Sequence, residues 1–200
     1  MLLRKWEDIP EFMRNEEVKK YYDILDKKRF NLMLKRFFDI VISVLLFIIL
    51  SPVFLVLAIW IKTDSSGPIF YRQERVTQYG RTFRIYKFRT MVSNADQIGS
   101  LVTTQYDSRI TKVGEKIRKC RLDEIPQLIN ILTGDMSFVG TRPEVQKNED
   151  EIISKCVDKG YSIDLVYIEK VLPEKMKYNL DYFKTYNILK DIKLCMKTVL

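Results

Sequence analysis

From Ile40 to Ile61 the chain reads IVISVLLFIILSPVFLVLAIWI without one ionisable side chain. As a straight helix, at about 1.5 Å per residue, this run reaches roughly 33 Å, against about 30 Å of hydrocarbon in a bilayer. The buried helix of a soluble domain rarely stays apolar on every face for so long. A cleaved signal peptide would be shorter, start earlier and end in small residues. The run is therefore expected to lie in a membrane. Ser51-Pro52 sits at its centre, where proline removes an amide donor and crowds the preceding turn, so a kink is expected there. Each half, about ten residues or roughly 16 Å, can reach mid-bilayer and return, or the kinked helix can cross. Charge favours return, because segments 1–36 and 62–90 are both rich in Lys and Arg and the positive-inside tendency puts both on the cytoplasmic side. Lys35-Arg36 and Lys62 would then lie at the headgroups, with Ser51 capping a freed backbone group.

The 200 residues suffice for one modest domain and an appendage. A net charge of +8, from 34 Lys and Arg against 26 Asp and Glu, suits anionic partners such as nucleic acid, acidic lipid or phosphorylated metabolites. The absence of histidine excludes a Ser-His-Asp triad, a Cys-His pair and His-ligated zinc. Chemistry must come from carboxylates, Lys, Arg or a hard metal. Cys120, Cys156 and Cys195 have neither CxxC spacing nor the even number of a disulfide framework, which fits a reducing compartment.

Three segments follow: an N-terminal helical extension over 1–34, the membrane helix over 35–62, and a domain with an amphipathic helical tail over 63–200. Ser65-Ser66-Gly67-Pro68 reads as a turn, IFYRQ as a strand, Tyr79-Gly80 as a second turn and TFRIYKFRTM as the returning strand. Residues 91–110 read as a loop. From Lys112 the pattern is helical, with Ile125, Leu128, Ile129 and Leu132 on one apolar face and Gly134 closing the helix. Leu122-Asp123-Glu124-Ile125-Pro126 reads as that helix's start, with Asp123 as N-cap. GDMSFVGTRPE suggests a turn, a short strand and another turn that delivers Arg142 beside Pro143. The tail is basic and amphipathic, suited to a membrane surface.

An Asp-Glu pair at a helix start is most simply a cap. Its chemical alternative is a division of labour, one carboxylate as nucleophile or Mg²⁺ ligand and the other as acid/base or neighbour. Cations surround it in sequence: Lys87 and Arg89 in YKFRT, Arg118 five residues before Asp123, and Arg142 after the helix. Guanidinium groups at a helix N-terminus would suit a diphosphate. The basic hairpin with its Tyr and Phe residues also admits a membrane-tethered nucleic-acid-binding module, with the rings as stacking platforms.

The blocks KRFFDIVISVLLFIILSPVFLVLAIWIK, PIFYRQERV, YKFRTM, DSRITKVGEKIRKCRLDEIPQLINIL and GDMSFVGTRPE, in order over roughly residues 32–146, resemble the bacterial sugar transferases known as monotopic phosphoglycosyl transferases. The resemblance implies an α+β fold, a small α/β catalytic domain with amphipathic surface helices, held on the cytoplasmic face of the bacterial inner membrane. Its anchor would be a re-entrant helix hairpin broken at Ser51 and Pro52. It implies transfer of a sugar-1-phosphate from a UDP-sugar to undecaprenyl phosphate with release of UMP, starting a surface glycan. Asp123 matches the family's nucleophile and Glu124 its partner; Lys87, Arg118 and Arg142 match the phosphate site. Mg²⁺ is the implied cofactor, held at Asp123, and the implied partners are the two substrates and membrane lipid, not nucleic acid, with a homodimer left open. One departure stands out. The donor-covering loop that usually follows the Arg-Pro motif is shortened here, which raises the alternative of a catalytically impaired member acting as a membrane-bound partner in glycan assembly.

Overall fold

The computed structural model describes residues 2–95, 107–141 and 172–199. Mixed helix and a small two-stranded sheet make up these residues, in the order α1 (Glu16–Asp26), α2 (Arg29–Asp64), β1 (Phe70–Val76), β2 (Thr82–Phe88), α3 (Lys112–Lys119), α4 (Gln127–Thr133), α5 (Leu172–Thr185) and α6 (Ile188–Val199). The chain packs as two units. One comprises Met1–Phe38, Arg75–Thr82 and Met136–Leu200; the other comprises Asp39–Glu74 and Phe83–Asp135.

Helix α2 is long and apolar enough to cross a membrane. It is helical for 36 residues and passes through Pro52 without interruption. Proline at position 52 leaves the carbonyl of Ile48 without its usual amide donor. The Ser51 hydroxyl donates to that carbonyl oxygen at 2.8 Å instead. The expected capping by Ser51 is therefore present, and it satisfies a backbone group that lipid could not.

In the unit that contains the second half of α2, the core is Leu57, Ile61, Phe88, Val113 and Ile117, with Val53, Phe54, Ile69, Phe70 and Leu122 against it. Positions 53, 54, 57 and 61 share one helical face, so this half of α2 turns one stripe to protein. Leu55, Val56 and Ile59 on the opposite stripe remain 64%, 61% and 58% exposed. A soluble helix would not leave such a stripe bare.

The hairpin forms where the sequence reading places it. Tyr79 and Gly80 both take positive φ, 65° and 72°, in the turn. Phe70 stacks on Phe88 with ring centroids 5.5 Å apart and meets Tyr86 edge-on at 6.2 Å, while Arg72 lies 4.5 Å over the Tyr86 ring. These aromatics pack on one another and on Arg72 within the hairpin. The segment Met136–Gly140 adopts bends, not the expected short strand. At β2 the backbone positions Arg84 and Tyr86 already have a partner in the Asn130 side chain.

The other unit joins both ends of the chain. Asn15 caps α1 by accepting from the Val18 amide at 2.9 Å. Lys28 donates to the Tyr186 carbonyl at 2.8 Å, and the Tyr186 hydroxyl donates to the Asn31 carbonyl at 3.1 Å. Lys35 is ion-paired with the buried Asp191 of α6, which also accepts from the Tyr182 hydroxyl at 2.9 Å. A lysine that finds a buried carboxylate gives up its hydration only because that charge compensates it.

Candidate active site

Asp123 and Glu124 lie in a short 3₁₀ turn, Leu122–Glu124, between α3 and α4. Helix α3 ends because Arg121 adopts the left-handed conformation, φ 55°, ψ 19°, and reverses the chain with a side chain where glycine is the usual choice. That reversal swings the dyad back toward α3 and its Arg118. The expectation that Asp123 caps a helix is not met: Arg121 precedes the 3₁₀ turn, Pro126 precedes α4, and neither turn nor helix has a side-chain cap. The amides of Leu128 and Ile129 already donate to Ile125 and Pro126 carbonyls at 3.1 and 3.0 Å. Those 3₁₀ bonds engage both amides within the chain rather than leaving them for an anion.

Asp123 is only 8% exposed. Burial pushes its carboxyl pKa above the ordinary value; the Lys87 and Arg118 cations pull it back down, and the Glu124 charge adds to the rise. Glu124 is held by Lys87, whose Nζ donates to Oε1 at 3.0 Å in a largely buried pair. The structure therefore brings Lys87, Arg118, Asp123 and Glu124 into one electrostatic neighbourhood. Arg142 lies outside the described residues, as does the shortened loop.

Lys87 reaches the dyad because of strand register. It follows Phe83 and Ile85 on one face of β2, both buried, and is the first charged side chain past that apolar pair. Asn130 sets the strand against α4. Its Nδ2 donates to the Arg84 carbonyl at 3.0 Å, and its Oδ1 accepts from the Tyr86 amide at 2.8 Å, so one side-chain amide acts as a strand partner. Asn130 is 1% exposed. In the sequence, a polar residue between Ile129 and Ile131 was the signal that could have marked it, since a buried amide must be satisfied on both sides. Replacing Asn130 by Leu leaves a buried N–H and C=O unpaired, and is expected to cost roughly 1–3 kcal/mol for each group. Chemical denaturation of the variant beside Asn130→Gln measures this; an unchanged midpoint for the Leu variant would show that the clamp carries no stability.

The apolar face of α4 is also rotated from expectation: Leu128 and Ile131 are buried, while Ile129 and Leu132 are only partly so. Arg89, grouped with Lys87 by sequence, points elsewhere. Its guanidinium is buried and donates to the Ser65 and Ser66 carbonyls at 2.7 and 2.9 Å, tying the turn after α2 to the end of β2. A second pair missed by sequence is Asp107 with Arg109, joined through Nε at 2.9 Å and Nη2 at 2.6 Å. The Arg109 side-chain bond, then its backbone amide, hold the Asp107 carboxyl down at about 2, with Arg118 contributing. Arg118 thus acts electrostatically on both Asp107 and Asp123. The short Asp-x-Arg spacing was its sequence signal.

Among the described residues no group of three or more metal-ligating side chains forms. One or two carboxylates nevertheless fit Mg²⁺, which keeps several waters and takes further oxygens from substrate phosphates. Asp123 has the hard oxygen donors for that role.

A buried carboxylate among cations, in a domain packed along a long apolar helix, defines an arrangement suited to anionic substrates at a membrane. The profile of the bacterial sugar transferase family matches residues 30–200, and the chain belongs to that family. It is 34% identical over 184 residues to the UDP-N-acetylgalactosamine-undecaprenyl-phosphate N-acetylgalactosaminephosphotransferase of Aeromonas hydrophila, covering 83% of this chain and 43% of that protein. It is 33% identical over 188 residues to the UDP-glucose:undecaprenyl-phosphate glucose-1-phosphate transferase of Klebsiella pneumoniae, covering 84% and 40%. With the exopolysaccharide production protein ExoY of Sinorhizobium fredii it shares 41% identity over 195 residues, 82% of this chain and 83% of the relative. The chain spans about two fifths of the length of the first two relatives.

Proposed function

We propose that this protein transfers a sugar-1-phosphate from a UDP-sugar to undecaprenyl phosphate. The observation that carries the reading is the buried Asp123 carboxylate beside the Lys87–Glu124 pair, within the field of Arg118, in a chain of the sugar transferase family. In the first step an Asp123 carboxylate oxygen attacks the phosphorus next to the sugar. The bond from that phosphorus to the bridging oxygen breaks, and UMP leaves with the oxygen and its electron pair. In the second step an oxygen of undecaprenyl phosphate attacks the same phosphorus and releases the Asp123 carboxylate. Lys87 and Arg118 attract the diphosphate and then the acceptor phosphate, so the same cations serve two anions in turn. Glu124, by engaging Lys87, holds that cation's position. Mg²⁺ at Asp123 would supply neutralisation of the diphosphate charge.

The anchor follows the same reading. We place α2 as a re-entrant helix bent at Ser51-Pro52, with both ends and the catalytic unit at the cytoplasmic face. Support comes from the missing Pro52 amide, the basic flanks and the packing of Leu57 and Ile61 on the domain.

The test is UMP release from a panel of UDP-sugars by detergent-solubilised protein with undecaprenyl phosphate and Mg²⁺. Release that requires the lipid and stops on chelation with EDTA is the expected result. No release with any donor, from folded protein, would sink the reading and leave the role of a membrane-bound partner.

A further inference from the structure

Helix α3 carries Lys112, Lys116 and Lys119 at spacings of four and three, on the face opposite the buried Val113, Gly114 and Ile117. All three lysines are exposed. Lys116 Nζ lies 5.5 Å from the ring centroid of Trp60 on α2. Trp60 stands at the border between the stripe of α2 packed on protein and the bare stripe of Leu55, Val56 and Ile59. A tryptophan at the end of an apolar helix belongs at headgroup level, and Lys62 follows it by two residues. Trp60 therefore fixes the depth of the α3 lysines at the same level. Glu115 bonds Lys119 at 2.7 Å, but that pair is well exposed and offers little against a second anion. Three lysines and one glutamate leave this face at +2.

We propose that Lys112, Lys116 and Lys119, with Trp60, form a seat for the headgroups of anionic phospholipid. The proposal rests on the reading that the apolar run of α2 lies in a bilayer. Charge complementarity selects the occupant: a zwitterionic headgroup offers this face no net attraction, whereas an anionic one does. The seat is separate from the dyad. Arg118 lies off the lysine face of α3, and none of the three lysines belongs to the proposed phosphate site. Its effect is to steady the catalytic unit against the leaflet, leaving the chemistry to Asp123.

The full chain with Trp6→Phe keeps Trp60 as its single tryptophan. It is placed in phosphatidylcholine vesicles containing equal mole fractions of either brominated phosphatidylglycerol or brominated phosphatidylcholine, and fluorescence quenching is compared. Quenching by the anionic lipid is expected to exceed that by the zwitterionic one, reflecting local enrichment of roughly five-fold. The ratio is expected to return to one when Lys112, Lys116 and Lys119 are all changed to Gln, with UMP release per folded molecule and the thermal melt unchanged. Equal quenching by both lipids in the parental protein would overturn the proposal. Quenching by neither would overturn it together with the bilayer reading. If undecaprenyl phosphate relieves the anionic quenching and the same amount of unlabelled phosphatidylglycerol does not, the seat belongs to the acceptor and the proposal fails.

Discussion

Asp123→Asn is expected to lower sugar-1-phosphate transfer by roughly 10³-fold or more while making the protein more stable. The loss follows from the nucleophile's role proposed above, since an amide oxygen cannot form the phosphosugar intermediate and removal of a covalent nucleophile costs orders of magnitude. The gain follows from burial. The folded protein holds the Asp123 carboxyl above its ordinary value of 3.8 because the charged form is desolvated. A carboxyl with a raised folded pKa costs stability when ionised, so the cost is complete above the folded value. It is relieved as pH falls through that value toward 3.8, where the folded state takes up the proton first. The Asn variant should therefore melt higher at neutral pH, and its advantage should shrink under acid. Thermal melts of both proteins across the pH range, beside UMP release, read the two effects separately. A variant that keeps a tenth of the activity would remove Asp123 from the nucleophile's role, and one that melts lower at neutral pH would show that the buried charge carries no such penalty.

The second large effect concerns Gly114. A Cβ built on it would lie 2.1 Å from the Thr90 carbonyl oxygen and 2.7 Å from both the carbonyl carbon and Cα of Thr90. These are backbone atoms, so no side-chain rotation relieves the clash. The contact lies where Thr111 caps α3, with its amide donating to Thr90 O at 3.1 Å and its hydroxyl accepting from Gly114 N at 3.0 Å. The Asp64 carboxylate, at the end of α2, accepts from the Val113 amide at 3.1 Å in the same turn. Gly114→Ala must displace α3 from the end of β2, at about 3 kcal/mol, the upper part of the usual range for overpacking. A fall in melting temperature on the order of 10 °C is the expected reading for a chain of this size. Because α3 carries Arg118 and leads into the dyad, activity measured below the melt should fall too. An alanine variant with an unchanged melt would show that α3 and β2 do not approach as closely as this.

The sequence revealed those features whose physics is local. The apolar run from Ile40 to Ile61, the Ser51 hydroxyl beside Pro52, the hairpin turn at Tyr79-Gly80, the Gly134 helix stop and the dyad itself all follow from composition or from neighbours a few residues away. Gly134 does end α4 in the left-handed conformation, with φ 87°. The dyad's immediate surroundings were less legible. Asp123 was expected to cap a helix, a local inference, but the left-handed Arg121 changes the path of the chain and puts the carboxylate in a 3₁₀ turn instead.

What the residues alone determined was the chemical inventory: a membrane-length helix, carboxylates and cations without histidine, and motif blocks in the order of one family. Only tertiary structure decided how that inventory is divided. Lys87 and Arg89 look equivalent in YKFRT, yet the first pairs with Glu124 and the second is buried in the turn after α2. Asn130, unremarkable in a run of apolar residues, becomes the clamp between α4 and β2. The reason is that an ionic or polar partner across 37 or 44 residues depends on where the backbone returns, and the return is set by packing around Phe88, Val113 and Ile117 rather than by any local preference.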